Sequence, residues 1–377
     1  MAQNYQISLI TCDPGDELYS TFGHSAVRVR DQMSGTDLVF NYGTFDFNTP
    51  FFYVKFSRRT LDYQLAVTTF DQFLYEYNYF KRSVREQVLD LSPNQTEEII
   101  RFLRTNYLPE NRKYRYDFFY DNCATRIRDM MESVLGGQLD WMEVENAPQI
   151  TFRQLIDEYV YPLPWSDLGI DLALGAVIDQ HAQEREKLFL PDYLEAAFGR
   201  AEIIGDGPRR PLVKSTQIIY DFPERSATFS VLNPFLVFWA IAIVIGMVTY
   251  LGYRRKKIYP ITDILLFGSL GLLGVLIVYL WFFTEHSQTK MNWNLLWAFP
   301  GHLLIVLMII LRKIPDWLRH YLLVSLILAD LGLIFWLVGV QSFHASVLPL
   351  LLATILRSNF LYYNLGKWMR KENPASL

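Results

Sequence analysis

Beyond about residue 230 the chain carries five apolar segments, near 233–252, 260–283, 295–311, 321–340 and 345–365. Each is close to the ~20 residues that a helix needs to span a bilayer, and runs of that length and composition are explained only by one. The charges between them give a direction. Arg254-Arg255-Lys256-Lys257 follows the first segment, Arg312-Lys313 and Arg319 lie between the third and fourth, and Lys367, Arg370 and Lys371 follow the fifth. The alternate loops, around Thr284–Asn294 and Gln341–His344, carry only Lys290. Basic clusters stay on the cytoplasmic side, so residues 231–377 form an all-α five-helix transmembrane domain with a cytoplasmic C-terminus, and residues 1–230 form an extracytoplasmic domain. Trp281, Trp293, Trp297 and Trp317 sit near segment ends, where interfacial anchors belong. His302, Asp330 and Arg357 are costly in hydrocarbon. Asp330 and Arg357 lie on adjacent segments at comparable depth, which makes a structural ion pair the default and a lipid-headgroup contact the alternative.

The front 230 residues read differently. Charged residues and turn signals recur throughout. The formal net charge of −4 leaves no basic footprint for nucleic acid. Cys12 and Cys123 are the only cysteines, too few for a disulfide framework. A bridge between them stays open in an oxidising compartment, and it would block thiol chemistry; plain packing is the simpler role for Cys12. No CxxC or HExxH motif and no His/Cys cluster points to a metal. Met1-Ala2-Gln3-Asn4-Tyr5 shows no basic stretch followed by an apolar one. An extracytoplasmic domain needs a signal, so one is expected to have been removed.

In chain order, Tyr5–Thr11 alternates as a strand and Asp13-Pro14-Gly15-Asp16 turns it. Ala26–Arg30 and Leu38–Tyr42 form a hairpin across Met33-Ser34-Gly35-Thr36. Further strands are expected at 62–70 and 84–91. A helix is expected from Asp71 to Phe80. Another starts at Ser92-Pro93-Asn94-Gln95 and reaches Tyr107, opened by an N-cap serine, proline at N1 and glutamine at N3. Thr151-Phe152-Arg153-Gln154 repeats the capping pattern. Looser helical patterns follow near 168–179 and 192–198, and Gly205-Asp206-Gly207-Pro208 breaks the chain. The whole is an α+β domain with an antiparallel sheet.

Cys123 lies where an aromatic, strand-like run (Tyr114, Tyr116, Phe118, Phe119, Tyr120) gives way to a helical pattern ending at Gly136-Gly137. Asn122 or Asp121 would cap that helix. A thiol in a first helical turn feels the positive end of the macrodipole, which favours thiolate. A buried structural cysteine fits the position as well. A nucleophilic cysteine needs a base, and the base needs an orienting group. The front domain has two histidines, His24 and His181. His181 sits in a polar helical patch that reads as a solvated face. His24 opens a strand, and Asn41 on the returning strand of the same hairpin is placed to meet its far nitrogen. Backbone N–H groups of Cys123 and Ala124 are candidates for an oxyanion hole. Tyr42, Tyr120 and Asn122 are further candidates there, and each serves equally well in packing or capping.

That order of residues (His on a strand, a polar residue on the next, then Asn-Cys opening a helix) resembles the circularly permuted papain-like fold of NlpC-type peptidases and lecithin:retinol acyltransferases. More specifically, the stretch from Leu9 to Tyr19, Phe22-Gly23-His24-Ser25-Ala26-Val27-Arg28-Val29, Phe40-Asn41-Tyr42-Gly43, Asn122-Cys123 and Phe189-Leu190-Pro191-Asp192, with the multi-span tail, resemble the Lnb family. These are bacterial lipoprotein N-acyltransferases with a periplasmic front domain and a membrane domain. The resemblance implies a protein of the bacterial inner membrane with no cofactor. Cys123 would take an acyl chain from a membrane phospholipid as a thioester and pass it to the α-amino group of the diacylglyceryl-cysteine of a lipoprotein. His24 would act as the acid–base group. Three alternatives remain: an intramolecular transacylase giving lyso-form lipoproteins, a membrane-tethered cysteine hydrolase, and a non-enzymatic sensor. The run Phe51-Phe52-Tyr53-Val54-Lys55-Phe56 reads as a half-buried core segment or, alternatively, one that dips toward acyl chains.

Overall fold

The computed structural model describes residues 4–142, 144–205, 208–223 and 231–372, with residues 366–372 described by their backbone alone. The expected boundary at 230, the Asp206-Gly207 break and Met1–Gln3 lie outside these residues, as do the side chains of Lys367, Arg370 and Lys371. The chain divides into two compact units. One comprises Met1–Tyr159 with His181–Ser226, the other Val160–Gln180 with Ala227–Leu377.

The first unit is built on alternation. Strands β1 (Tyr5–Cys12), β2 (His24–Asp31), β3 (Asp37–Thr44), β4 (Asp62–Thr69), β5 (Val84–Leu89), β6 (Lys113–Arg115) and, late in the chain, β10 (Val213–Tyr220) form one antiparallel sheet. Its order is β10-β5-β1-β2-β3-β4-β6. Short strands β7 (Leu139–Asp140), β8 (Glu202–Ile203) and β9 (Arg210–Pro211) make a second, small sheet. Successive side chains of a strand face opposite ways. Ile7, Leu9, Val27, Phe40 and Leu65 therefore meet one cluster, and Ile10, Cys12, Ala26, Val39 and Val84 another.

Helices cover both faces, which is why both sets of alternating positions are apolar. α2 (Phe70–Tyr79) brings Phe70, Phe73 and Tyr77 to the Cys12 side. α3 (Pro93–Tyr107) and α4 (Cys123–Leu135) bring Ile99, Leu103, Ile127, Met130 and Met131 to the other. The expected capping boxes form: Gln95 N–H donates to Ser92 Oγ at 3.3 Å and Ser92 N–H to Gln95 Oε1 at 2.9 Å. Thr151 and Gln154 reciprocate in the same way at the start of α5 (Phe152–Val160). A buried charge locks the sheet centre. Arg28 of β2 reaches Asp37 at 2.6 Å and Glu86 of β5 at 2.8 Å, with its guanidinium 3.5 Å from the centroid of Phe70.

Two local expectations fail. The aromatic run 114–120 is a strand only through Arg115. After it the chain wraps Asp117, whose Oδ1 accepts the N–H groups of Phe119 (2.9 Å) and Tyr120 (3.1 Å). A side-chain acceptor replaces the ladder there. The run Phe51–Phe56 is not half-buried core: Phe52–Ser57 forms a short helix, α1, with no buried residue.

In the second unit α6 (Pro164–Ala173) is sewn to the loop before residue 296. Asn292 Nδ2 donates to Leu172 O at 2.8 Å and Ala173 O at 3.1 Å, and Gly175 N–H donates to Gln288 O at 2.9 Å. Gly175 is required at this contact, because a Cβ there would lie 1.9 Å from the Lys290 carbonyl oxygen. Short helix α7 (Glu184–Lys187) and α8 (Pro191–Arg200) return the chain to the first unit. The remaining helices follow: α9 (Pro234–Arg255), α10 (Pro260–Phe282), α11 (His302–Ile310), α12 (Asp316–Leu337) and α13 (Val347–Glu372). Among the described residues, α9, α10 and α12 are long and apolar enough to cross a membrane. The segment 295–311 is broken: a 3-10 turn covers Trp293–Leu296, and α11 starts only at His302. Pro300 cannot continue a helix, and the break packs its backbone on α10, where a Cβ at Gly274 would meet Ala298 O at 2.0 Å. Trp297 is no interfacial anchor. It is fully buried, its Nε1 donating to Asn294 Oδ1 at 3.1 Å.

Arg357 pairs with Asp263, not with Asp330. Its Nε and Nη2 meet the two carboxylate oxygens at 2.8 and 2.6 Å, and Nη1 donates to Thr249 Oγ1 at 3.0 Å. Asp330 lies on the exposed side of α12. His302 is likewise structural, with Nε2–H on the Trp297 carbonyl at 3.1 Å and Nδ1 accepting from Tyr321 at 3.2 Å. Removing one partner of a buried pair strands the other charge. Asp263→Asn is expected to destabilise the helical unit by about 3–5 kcal/mol, read as a lower denaturation midpoint in detergent. The double change Asp263→Leu with Arg357→Met is expected to recover most of that loss.

Candidate active site

α4 opens at Cys123, and its start is tightly capped. Asn122 Oδ1 accepts from Thr125 N–H at 2.9 Å, and Thr125 Oγ1 accepts from Asn122 N–H at 2.8 Å. Both amide hydrogens of Asn122 are also used, one on Phe118 O and one on Phe189 O, each at 2.8 Å. Asn122 therefore holds the helix start and the 189 loop together and has no donor left for a reacting oxygen.

His24 opens β2, opposite Cys12 in the ladder. The turn before it needs Gly23: φ is +75°, and a Cβ there would sit 2.8 Å from the Cys12 carbonyl oxygen and 3.6 Å from Pro191. A bulge follows on the neighbouring strand. The β3–β4 register shifts between Asn41 and Thr44, with Gly43 at φ +89°. Asn41 Oδ1 lies 2.6 Å from His24 Nε2. The carbonyl oxygen is an acceptor, so Nε2 carries the proton and Nδ1 is left for the thiol.

Burial raises the thiol pKa of Cys123, but the neighbouring His24 charge and hydrogen bond and the backbone N–H groups of Ser25 and Ala124 outweigh it, and the net direction is down. For His24 burial works against the imidazolium, while Cys123 and the hydrogen bond to Asn41 favour it, and the net direction is up. The two groups share a proton in the sense that favours thiolate and imidazolium. Cys12 behaves oppositely. Burial pushes its thiol up to about 12, and it packs with Ile10, Ala26 and Val84 in the cluster on the other face from that of Cys123. Both cysteines are free.

Of the residues singled out in the sequence, Cys123, His24, Asn41 and Ala124 come together, and Asn122 supports them from behind. Tyr42 is buried beside the site with its ring against Tyr114 (6.3 Å between centroids), and burial pushes its hydroxyl up to about 12. Tyr120 faces away, half exposed against Phe119 and Phe152. His181 is exposed. The structure adds Ser25, Tyr116 and Arg126, and brings the Phe189–Asp192 stretch, at the turn into α8, beside them. Ser25 acts through its backbone N–H, a donor that no sequence pattern marks. Tyr116 borders Cys123 at Gly43. Arg126 pairs with Asp121 at 2.5 Å and lies 3.8 Å from the Tyr114 centroid, flanking the cysteine helix. Pro191 touches the Gly23 turn, Phe189 O holds Asn122, and Asp192 meets Arg85 at 2.9 Å and Tyr159 at 3.0 Å.

Comparison with known proteins fits this arrangement. A model of the Lnb N-terminal periplasmic domain matches residues 1–158, and a model of the Lnb transmembrane domain matches residues 225–367. The chain belongs to the Lnb family. It is a membrane protein whose N-terminal domain is periplasmic. No curated protein and no solved structure matches it. The matched ranges of this Lnb-family protein contain Cys123, His24 and Asn41, whereas the Phe189–Asp192 stretch that braces them falls between the two.

Asn41 orients and does not react. On the acyl-enzyme reading proposed below, Asn41→Ala is expected to slow acylation of Cys123 roughly 10- to 100-fold, within what an acid–base group itself supplies. It also removes one of the interactions that raise the His24 pKa. The pH–rate profile should therefore lose its basic limb at lower pH, a shift that a merely loosened fold would not give.

Proposed function

We propose that this Lnb-family protein is a lipoprotein N-acyltransferase working through a thioester on Cys123. The observation that carries the reading is a thiol with a lowered pKa at a helix start, facing an imidazole whose far nitrogen is held by Asn41 at 2.6 Å. The Cys123 thiolate attacks an ester carbonyl of a bilayer phospholipid. A C–S bond forms, the C–O bond to glycerol breaks, and the departing alkoxide takes the proton from the His24 imidazolium. The α-amino group of a diacylglyceryl-cysteine then attacks the thioester. An amide forms, the thiolate leaves, and His24 takes the proton lost by the amine. The Ala124 N–H at the helix start is the oxyanion donor favoured for both tetrahedral intermediates.

Several features support this reading. His24 on one strand, its orienting residue on the next and the nucleophile at a later helix start follow the permuted papain-like order. All five apolar segments act as the membrane anchor, with α11 and its preceding turn as an interrupted third crossing. The basic clusters between the segments support a cytoplasmic C-terminus, and helical spans fit an inner-membrane protein. Mass spectrometry of lipoprotein N-termini tests the activity. Cells with the protein should carry N-acylated, triacyl forms that cells without it lack. An unchanged acylation state overturns the proposal, and lyso forms appearing in its presence would assign an intramolecular shift from the glyceryl group.

A further inference from the structure

The helix α1 and the turn before it present aromatic rings to solvent. Phe47, Phe51 and Tyr53 are 71%, 81% and 82% exposed, and Phe56 is 52% exposed. A patch of this kind on a soluble face marks an interaction site. The backbone is strained to make it: Phe51 and Arg59, on either side of α1, both sit in the left-handed region, at φ 59° and 58°. Bulky residues rarely hold that conformation, and such strain persists where the surroundings enforce it. Arg59 supplies the enforcement, its Nε donating to Tyr116 O at 2.9 Å and its Nη2 meeting Asp117 at 2.7 Å.

The patch is continuous with the reacting cysteine. Phe52 packs on Phe47 (5.0 Å between centroids) and Phe45 (5.7 Å), Phe45 on Tyr63 (5.2 Å), and Tyr63 stacks on Tyr116 at 4.5 Å. Tyr116 and Cys123 then both flank Gly43, where a Cβ would lie 3.8 Å from the Tyr116 ring and 3.9 Å from Cys123 Cβ. An unbroken series of rings thus runs from an exposed surface to the thiol. Between Thr44 and Thr60 the chain has Lys55 and Arg58, besides the Asp117-paired Arg59, against a single acid, Asp46. Aromatic rings with cationic neighbours are the composition of a surface that sits in the headgroup region of an anionic bilayer.

We propose that this aromatic face docks on the bilayer and admits one acyl chain of a phospholipid, which the rings guide to Cys123. The proposal rests on the acyl-enzyme reading for the fate of that chain, but the docking itself does not require it. A protein partner is the poorer occupant, because the patch belongs to a membrane-tethered chain and its charges complement a lipid phosphate.

The test uses the full chain reconstituted into vesicles of phosphatidylethanolamine and phosphatidylglycerol, with a trace of phospholipid carrying a diazirine near the end of one acyl chain. Irradiation should give lipid adducts on peptides covering residues 45–63 as well as on the membrane helices. In the variant Phe51→Ser/Tyr53→Ser/Phe56→Ser, the adducts on 45–63 should fall roughly tenfold or more, as the loss of three apolar anchors requires, while those on the helices persist. These side chains are exposed, so folding is expected to survive; if the variant does not fold, the labelling pattern of the unmodified protein decides by itself. Adducts confined to the helices overturn the proposal, as does an undiminished yield in the variant, or capture of residues 51–56 by a second protein with no lipid adduct. Cys123→Ala should keep the adducts on 45–63, because docking does not need the thiol, and this keeps the two readings apart. Adducts on 45–63 with no acylated Cys123 in the unmodified protein would uphold the docking surface and sink the acyl-enzyme.

Discussion

Cys123→Ala will abolish formation of the acyl-enzyme, with a loss of at least ~10³ in the rate of acyl transfer, the size expected when the nucleophile itself is removed. The readout is the intact mass of the protein after incubation with phospholipid, which gains an acyl group only when the thiol is present. Cys123 is 8% exposed and borders the core formed by Ile127, Met130 and Val27. Losing one sulfur there leaves the helix cap intact, because that cap is made by Asn122 and Thr125. The melting transition should therefore move by only a few degrees, as for a change of order 1 kcal/mol. Cys12→Ala is the control with the opposite pattern. Its thiol is 1% exposed in the cluster on the other sheet face, so it should cost stability and leave Cys123 acylation intact. Equal losses of acylation in the two variants would refute the assignment.

His24→Ala will change the pH dependence of Cys123 as well as the rate. In the native pair the His24 charge and hydrogen bond overcome burial and lower the thiol pKa. Without the imidazole, burial dominates and the pKa rises. Alkylation by iodoacetamide follows the thiolate fraction, so its rising limb should move to higher pH in the variant, with the largest loss at and below neutrality. The first acyl-transfer step needs thiolate and imidazolium together. Its rate in the native protein should therefore be bell-shaped, rising as the thiol loses its proton and falling as the imidazolium does, with the falling limb above the ordinary imidazole range because the His24 pKa is raised. The two inflections belong to the pair and not to either residue. A rising limb at the same pH in His24→Ala and in the native protein would show that the two side chains do not share a proton.

The alternating strands β1 to β5 and the capped helices α3 and α4 were legible because period and cap are local properties. So was the pairing of His24 with Asn41, since a hairpin brings its two strands together by itself. The Tyr116–Asp121 stretch misled because alternating aromatics imitate a strand, while one carboxylate, Asp117, gathers the backbone donors. Arg357 misled for a different reason. Depth along a membrane segment can be read from the sequence, but the direction a side chain faces around the helix is set by packing, which put Asp263 beside it and Asp330 outside. The Ser25 N–H and the Phe189 carbonyl leave no trace in the sequence, since every residue has both groups.

The way the first unit returns to itself bears on how the protein is made. Its sheet is completed by β10, which pairs with β5, and Phe189 O holds the cap of α4, yet residues 160–180, which precede both in the chain, belong to the other unit. A ribosome delivers Cys123 and His24 long before it delivers these last pieces. Until residue 189 has been threaded across the membrane Asn122 lacks its Phe189 partner, and until residue 220 has followed β5 keeps an open edge. The nascent domain is thus an unfinished sheet with a half-held Cys123, and the thiol acquires its surroundings only as the first membrane helix begins to emerge. A fragment ending at residue 158 would freeze that immature state, so a soluble form suited to enzymology must retain His181–Tyr220 and join it across the excised 160–180 segment.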